Sequence, residues 1–192
     1  MKCLIIYSHP NPASFNHAIL EEVSRNLKAA GHEVVLRDLY ALKFNPVLSP
    51  SDFEQLSAGK MPADVAEEQK HIKWADTLVF IHPIWWAGLP AMMKGYIDRV
   101  FLKGFAYDAG KDGIIPLLKG KKVVIFNTTG TPSEIYEKNG MFRSMNQPVE
   151  SGIHGFCGLE VVLHHYFGGV PYVDDAARKR MLAQIGGLLK GI

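Results

Sequence analysis

The feature that most constrains this chain is its alternation of short, compact apolar runs with longer amphipathic stretches. Lys2 to Tyr7 (KCLIIY), His32 to Leu39, Thr77 to His82, Lys121 to Asn127 (KKVVIFN) and Leu159 to Leu163 read as strands. The segment after Ser14 reads as a helix, with Ile19, Leu20, Val23, Leu27 and Ala30 on one face, Glu21, Glu22, Arg25 and Lys28 on the other, and Gly31 as its stop. Further helices are expected from about Ala63 to Trp74, after Pro90 with Met93, Tyr96, Ile97, Val100 and Phe101 in a stripe, and from Asp174 to Lys190. Pro46, Pro50, Gly59 and Pro62 mark a long irregular stretch.

Strands separated by helices imply one parallel sheet covered on both faces, because right-handed βαβ crossovers lay each helix over the sheet. Such α/β folds bind ligands at the carboxyl ends of the strands, near the point where strand order reverses. Three loops therefore stand out: Ser8 to Ser14, His82 to Leu89, and Thr128 to Asn139. The length of 192 residues suits a single domain spanning 1–192, and no repeat or low-complexity tract interrupts it.

Composition removes several function classes. A net charge of +2 is too small to argue for nucleic acid or an anionic membrane surface. Cys3 and Cys157 are too few for a disulfide scaffold and form no CxxC pair, so they read as buried structural thiols and a cytoplasmic location is the expectation. The apolar run after Met1-Lys2 is too short for an export signal. The uncharged run from Thr77 to Met93 holds His82, Pro83 and Pro90 and is too short for a membrane span. Metal binding is not expected: His164 and His165 are consecutive, so on a strand they face opposite ways and suit strand-end packing or hydrogen bonding. Asp98 and Arg99 read as a solvated or interface pair.

Common phosphate motifs fail. Gly104 to Lys111 has one residue too many for a P-loop and is followed by Asp112 instead of Ser or Thr. Gly152, Gly155 and Gly158 are spaced GxxGxxG, which is not the dinucleotide pattern. The loop HPNPASFN offers another cradle: the free N–H groups near Phe15, Asn16 and His17, with Ser14 and His9, converge where a helix start favours a phosphate. An ordinary Ser-capped helix with a loop histidine explains that segment equally well. In HPIWWAGLP, adjacent Trp85 and Trp86 beside Gly88 look like the wall of a pocket for a flat ring, although a single tryptophan would be core. Thr128 to Thr131 present amides and hydroxyls that suit a polar ring edge, with Tyr136 as a further donor; a surface turn accounts for Gly130 and Pro132 as well.

With these segments in view, the whole chain resembles the flavodoxin-like NAD(P)H:quinone oxidoreductases of the DT-diaphorase type, including bacterial short forms. The matching segments are SHPNPASFNHA, RDLYALKFNPVLS, AEEQKHIKWADTLVFIHPIWWAGLPAMMKGYIDRVFLKGFAY, NTTGT with Tyr136, and PVESGIHGFCGLEV. The resemblance implies a doubly wound five-stranded parallel sheet of order 2-1-3-4-5 with helices on both faces. It implies that His9, Ser14, Phe15 and Asn16 hold the flavin phosphate and ribityl chain, and that Pro83, Ile84, Trp85, Trp86 and Ala87 follow the ring. Thr128, Thr129, Gly130 and Thr131 would reach the pyrimidine edge, with Tyr136 as the catalytic residue beside the reacting centre. Trp86, Tyr107 and Phe142 would border the substrate, Tyr107 being supplied by the other subunit of a homodimer. NAD(P)H would reduce the flavin and leave before a quinone or similar planar acceptor takes its place, a ping-pong scheme.

Two departures from the family pattern bear on these expectations. Phe142, followed by Arg143, stands where the resemblance places a histidine in vertebrate members, so the proton relay those members use is not expected here. The segment between Pro46 and Ala63 is shorter than in FAD-binding members, which favours FMN over FAD. Ancillary subunits of bacterial glutathione-gated potassium efflux systems belong to the same family, so docking to a membrane transporter is the alternative function. A flavodoxin-type one-electron carrier fits less well, since such carriers are strongly acidic and this chain has a pI near 8.5.

Overall fold

The computed structural model describes residues 1–192. Five strands form one parallel sheet: β1 (Lys2–Tyr7), β2 (Glu33–Asp38), β3 (Thr77–Pro83), β6 (Lys122–Thr128) and β7 (Glu160–Phe167), in the order β2-β1-β3-β6-β7. This is the expected 2-1-3-4-5 order. The reversal of direction falls between β1 and β3, so the loops after those strands open on the same crevice. A short antiparallel hairpin, β4 (Tyr107–Gly110) and β5 (Gly113–Pro116), stands apart and was not expected.

Two apolar layers sandwich the sheet because successive strand residues point to opposite faces. On one face Cys3, Ile5, Val79, Val124 and Phe126 meet Ile19, Leu20, Val23 and Leu27 of α1 (Phe15–Ala29) and Ile185 of α7 (Asp175–Leu188). On the other, Leu4, Ile6, Leu78, Phe80, Val123 and Ile125 meet Ile72 of α3 (Ala63–Trp74) and Met93, Tyr96, Ile97 and Val100 of α4 (Ala91–Val100). Ser14 and Asp174 cap α1 and α7 by accepting the amides of His17 and Ala177. No helix is long and apolar enough to cross a membrane.

Three local expectations change. The stretch read as irregular contains α2 (Pro50–Ser57), which starts in a capping box between Ser49 and Asp52 with proline in its first turn. It escapes periodicity because it buries an acid, Asp52, and exposes Phe53. Asp98 and Arg99 do not pair. Asp98 meets Lys94 at 2.5 Å on the surface, whereas the Arg99 side chain is only 5 % exposed and binds Asp52 of α2 at 2.6 Å, Asp64 of α3, and the Asn45 carbonyl at 2.9 Å. Gly95 makes this possible: a side chain there would strike the Pro46 carbonyl at 2.1 Å, so only glycine lets that loop lie on α4. Burial pushes the Asp52 carboxyl up, but Arg99 and Ser49 outweigh it and hold it at about 2.

β7 runs further than expected, to Phe167, through a bulge at Val162 that shifts its pairing with β6. His164 and His165 therefore lie inside the strand and face opposite layers. His165 packs on Phe126 and Phe167, and His164 turns to a wide π-helical segment, Gln147–His154, that follows α5 (Ser133–Lys138) and α6 (Met141–Asn146).

Candidate functional site

The loops after β1, β3 and β6 close around one cleft of about 530 Å³, within the range of small-molecule and cofactor sites. His9, Ser14, Phe15, Asn16, Pro83, Ile84, Trp85, Trp86, Thr128, Thr129 and Gly130 line it, as the sequence suggested, together with Val170 and Pro171. The last two lie just beyond β7, which reads from sequence as ending at Leu163, so the loop at its carboxyl end is not among the three expected ones. Ala87, Thr131 and Tyr136 do not line the cleft.

One end of the cleft is polar. The amides of Phe15 and Asn16 begin α1 and have no acceptor in the chain, as helix starts require. The His17 amide, expected to be free, is taken by the Ser14 carbonyl at 3.0 Å and the Ser14 hydroxyl at 3.2 Å. Asn16 is 3 % exposed; its Nδ2 donates to Thr128 Oγ1 at 2.8 Å, while its Oδ1 is buried without a partner. An orphan acceptor of this kind costs about 1–3 kcal/mol, which a ligand hydroxyl would return. His9 lies against Asn11, its Nδ1 3.1 Å from that residue's amide nitrogen, and burial lowers its pKa, so it is neutral at pH 7.

The other end is flat and apolar. Trp85 and Gly88 exchange both backbone hydrogen bonds at 3.1 Å, which closes a two-residue turn with Trp86 at φ 51° and Ala87 at φ 57°. Two consecutive left-handed residues define a type I′ turn, a geometry normally given to glycine or asparagine. Local strain of this kind concentrates at ligand clamps. The turn holds the Trp86 indole fully in solvent at the cleft mouth, while Trp85 packs on His9 with ring centres 5.9 Å apart.

Tyr136 stands outside this cleft, half-buried on α5, with its ring edge on Phe142 at 5.6 Å; Phe142 in turn lies 4.6 Å from Tyr166. Tyr107 does not line the cleft either. It packs on Phe156 at 4.9 Å in a separate groove of about 240 Å³ that includes Ile97, Phe101 and Cys157. Burial pushes the Cys157 thiol up to about 11 and raises that of Cys3, so neither is a nucleophile at neutral pH. No group of three metal-ligating side chains occurs.

A parallel five-stranded sheet of this order, with a helix-start cradle after β1 and an aromatic turn after β3, defines a flavodoxin-type α/β protein. The family model described as a flavodoxin-like fold matches residues 1–189, and the chain belongs to that family. A Haemophilus influenzae protein named an uncharacterized NAD(P)H oxidoreductase is 38 % identical over 95 % of this chain and 91 % of its own. Mouse (Mus musculus) ribosyldihydronicotinamide dehydrogenase [quinone] is 33 % identical over 100 % of this chain and 91 % of its own. Among solved structures, the NAD(P)H:quinone oxidoreductase from Methanothermobacter marburgensis superposes with a TM-score of 0.85 at 31 % identity, covering 97 % of this chain and 96 % of its own.

Proposed function

We propose that this protein is a flavin-dependent NAD(P)H:quinone oxidoreductase that binds FMN in the cleft. The observation that carries the reading is the convergence of a polar helix start and a flat apolar turn in one cleft with a buried, unpartnered acceptor, Asn16 Oδ1. These residues fit a ligand that is phosphorylated at one end, hydroxylated in the middle and planar at the other. When bound, the flavin would take a hydride from NAD(P)H and pass it to a quinone or similar acceptor.

The chain's own groups have separate tasks. The amides of Phe15 and Asn16, at the positive end of α1, neutralise a phosphate. Asn16 accepts from a hydroxyl of the sugar-alcohol chain, and Thr128 holds Asn16 in place. Trp85 and Trp86 exclude water from one side of the ring. Thr128, Thr129 and Gly130 bring hydroxyl and amide dipoles to its polar edge, which stabilises negative charge as it develops; Tyr136, outside the cleft on α5, is proposed as a further side-chain donor that would have to turn toward that edge. FMN is preferred to FAD because α2 is clamped onto α4 by Arg99 in the short segment where adenine contacts are expected.

The functional unit is proposed to be a homodimer in which Tyr107 reaches the partner's cleft, since in its own chain it lies in a different groove. The two free buried thiols suit a reducing compartment. The test is an absorbance spectrum of the purified protein followed by anaerobic addition of NADH or NADPH. A yellow protein that releases FMN on denaturation and bleaches with a nicotinamide supports the reading. Release of FAD alone overturns the cofactor assignment, and a colourless protein that FMN does not reconstitute overturns the function.

A further inference from the structure

On the sheet face opposite α1 runs a chain of hydrogen bonds to which the oxidoreductase reading gives no task. Glu150, a third exposed on the π-helical segment, meets His164 Nδ1 at 2.8 Å. His164 Nε2 lies 2.8 Å from Asn127 Oδ1, and Asn127 Nδ2 donates to the carbonyls of His82 at 3.0 Å and Phe126 at 3.3 Å. Asn127 and His82 belong to β6 and β3 where these strands enter the cleft. Glu150, His164 and Asn127 stand on three different elements, so the chain ties the π-helical segment to both strand ends.

The donors and acceptors fix where hydrogens must be. Backbone carbonyls only accept, so Asn127 must turn Nδ2 toward them and Oδ1 toward His164. An amide oxygen also only accepts, so His164 Nε2 carries a hydrogen. Nδ1 then faces a carboxylate oxygen at 2.8 Å, and a singly protonated imidazole would set two acceptors against each other there. A second proton removes that clash. Imidazolium with carboxylate and imidazole with carboxylic acid satisfy it equally, and both leave the pair neutral, as burial of the His164 side chain at 4 % exposure demands.

We propose that Glu150 and His164 hold one proton between them and that His164 is thereby a positioning residue for the cleft. Its two bonds orient Asn127, which holds the ends of β3 and β6 that lead into Pro83, Ile84, Thr128 and Thr129. The other groups facing it are uncharged at neutral pH: His82 and His154, both kept neutral by burial, and Tyr166, stacked on the ring at 4.5 Å. Burial lowers the His164 pKa below the ordinary histidine value and Glu150 offsets only part of that, so the shared proton rests on the hydrogen-bond geometry of Glu150, His164 and Asn127. His165 faces the opposite layer, and Arg143 shares only the surface groove beside Glu150.

Nitrogen NMR of the imidazole rings at pH 7, on protein without added ligand, tests the proton directly. Both His164 nitrogens are expected to show bound or shared hydrogen, and in Glu150→Gln only Nε2 is expected to. A bare Nδ1 in the unaltered protein overturns the proposal. The positioning role rests on the flavin reading, and titration with FMN tests it. His164→Phe, which keeps the stack on Tyr166 but loses the donor, is expected to weaken FMN binding roughly tenfold, the effect of one buried acceptor left unpaired. His164→Gln, which still donates to Asn127, is expected to stay within about threefold of the unaltered protein. Equal FMN affinity in His164→Phe overturns the positioning role. If His164→Phe fails to fold, a tenfold loss in His164→Gln overturns it instead. If the unaltered protein binds no FMN, the flavin reading fails while the NMR result still decides the shared proton.

Discussion

The two faces of the sheet are built on different rules. Under α1 and α7 the buried layer is almost wholly apolar, and its buried side-chain polar contact, Asn16 with Thr128, lies at the cleft. Under α2, α3, α4 and the π-helical segment the larger apolar layer is threaded by polar groups. Arg99 binds Asp52 and Asp64, Arg37 binds Glu68 at 2.5 Å with Tyr96 3.3 Å away, and His164 joins Glu150 to Asn127. Apolar packing is non-directional and tolerates exchange of similar volumes; a buried polar network has one satisfied arrangement and resists change. The first face tolerates substitution, and the second fixes position.

Removing a charge from the polar face is expected to have the largest effect. Arg99→Met leaves Asp52 buried without its cation and is expected to cost about 3–5 kcal/mol, read as a lower urea midpoint. Ile19→Val on the apolar face is expected to cost only about 0.5–1.5 kcal/mol in the same assay. Equal losses would erase the distinction.

Acid should expose the same asymmetry. Burial lowers His82 to about 4 and His154 to about 3, both on the polar face; the Pro83 carbonyl partly offsets it at His82, and neighbouring histidines add smaller lowering effects. The unfolded chain therefore binds more protons below about 6.5, the ordinary histidine value, and stability must fall as pH drops from there toward those folded values. Each of the two residues contributes about 1.4 kcal/mol per pH unit in that window. Urea titrations between pH 7 and 5 check it, and His154→Phe is expected to flatten the slope. A slope that is unchanged in that variant would assign the acid sensitivity to other groups.

Smaller effects belong to residues that flank the cleft without lining it. Ala87→Gly relieves a left-handed alanine and is expected to raise stability by about 0.5–1 kcal/mol, after the greater unfolded-state entropy of glycine is offset, as thermal unfolding would show. Tyr136→Phe removes one neutral hydrogen-bond donor, worth about 0.5–1.5 kcal/mol, so stopped-flow reduction of the bound flavin is expected to slow only about two- to twelvefold. A thousandfold loss would show that Tyr136 acts as more than a donor even with Phe142 as its neighbour.

The sequence revealed the apolar face far better than the polar one, for a physical reason. Ile19, Val23 and Leu27 recur at helical spacing and the strands are continuous apolar runs, so periodicity and turn residues place α1, the five strands and their loops. The three ligand loops followed from that alternation, which is why most of the cleft residues were legible. Networks carry no period. Asp52, Arg99, Glu150 and His164 lie far apart in sequence, and a buried acid on α2 looks like any surface acid until Arg99 is placed beside it. The capping box at Ser49 and the proline after it were the local signs of α2. Val170 and Pro171 were missed because β7 reads from sequence as ending at Leu163, which leaves the Gly168-Gly169 turn unassigned to a strand end.

The bulge in β7 has a consequence for the outside of the molecule. Val123 of β6 pairs with Val161 and Val124 with Leu163, so Val162 is an extra residue that the ladder steps over. The side chains on either side keep their layers as though it were absent. Yet β7 is the last strand on its side of the sheet, with its outer row of amides and carbonyls turned away from β6. An unbroken edge is a template on which a stranger's strand can grow, and a kinked one is a poor template. Val162 thus does for the population of molecules what it does not need to do for any single one: it puts the open border of the sheet out of step with any straight strand that meets it.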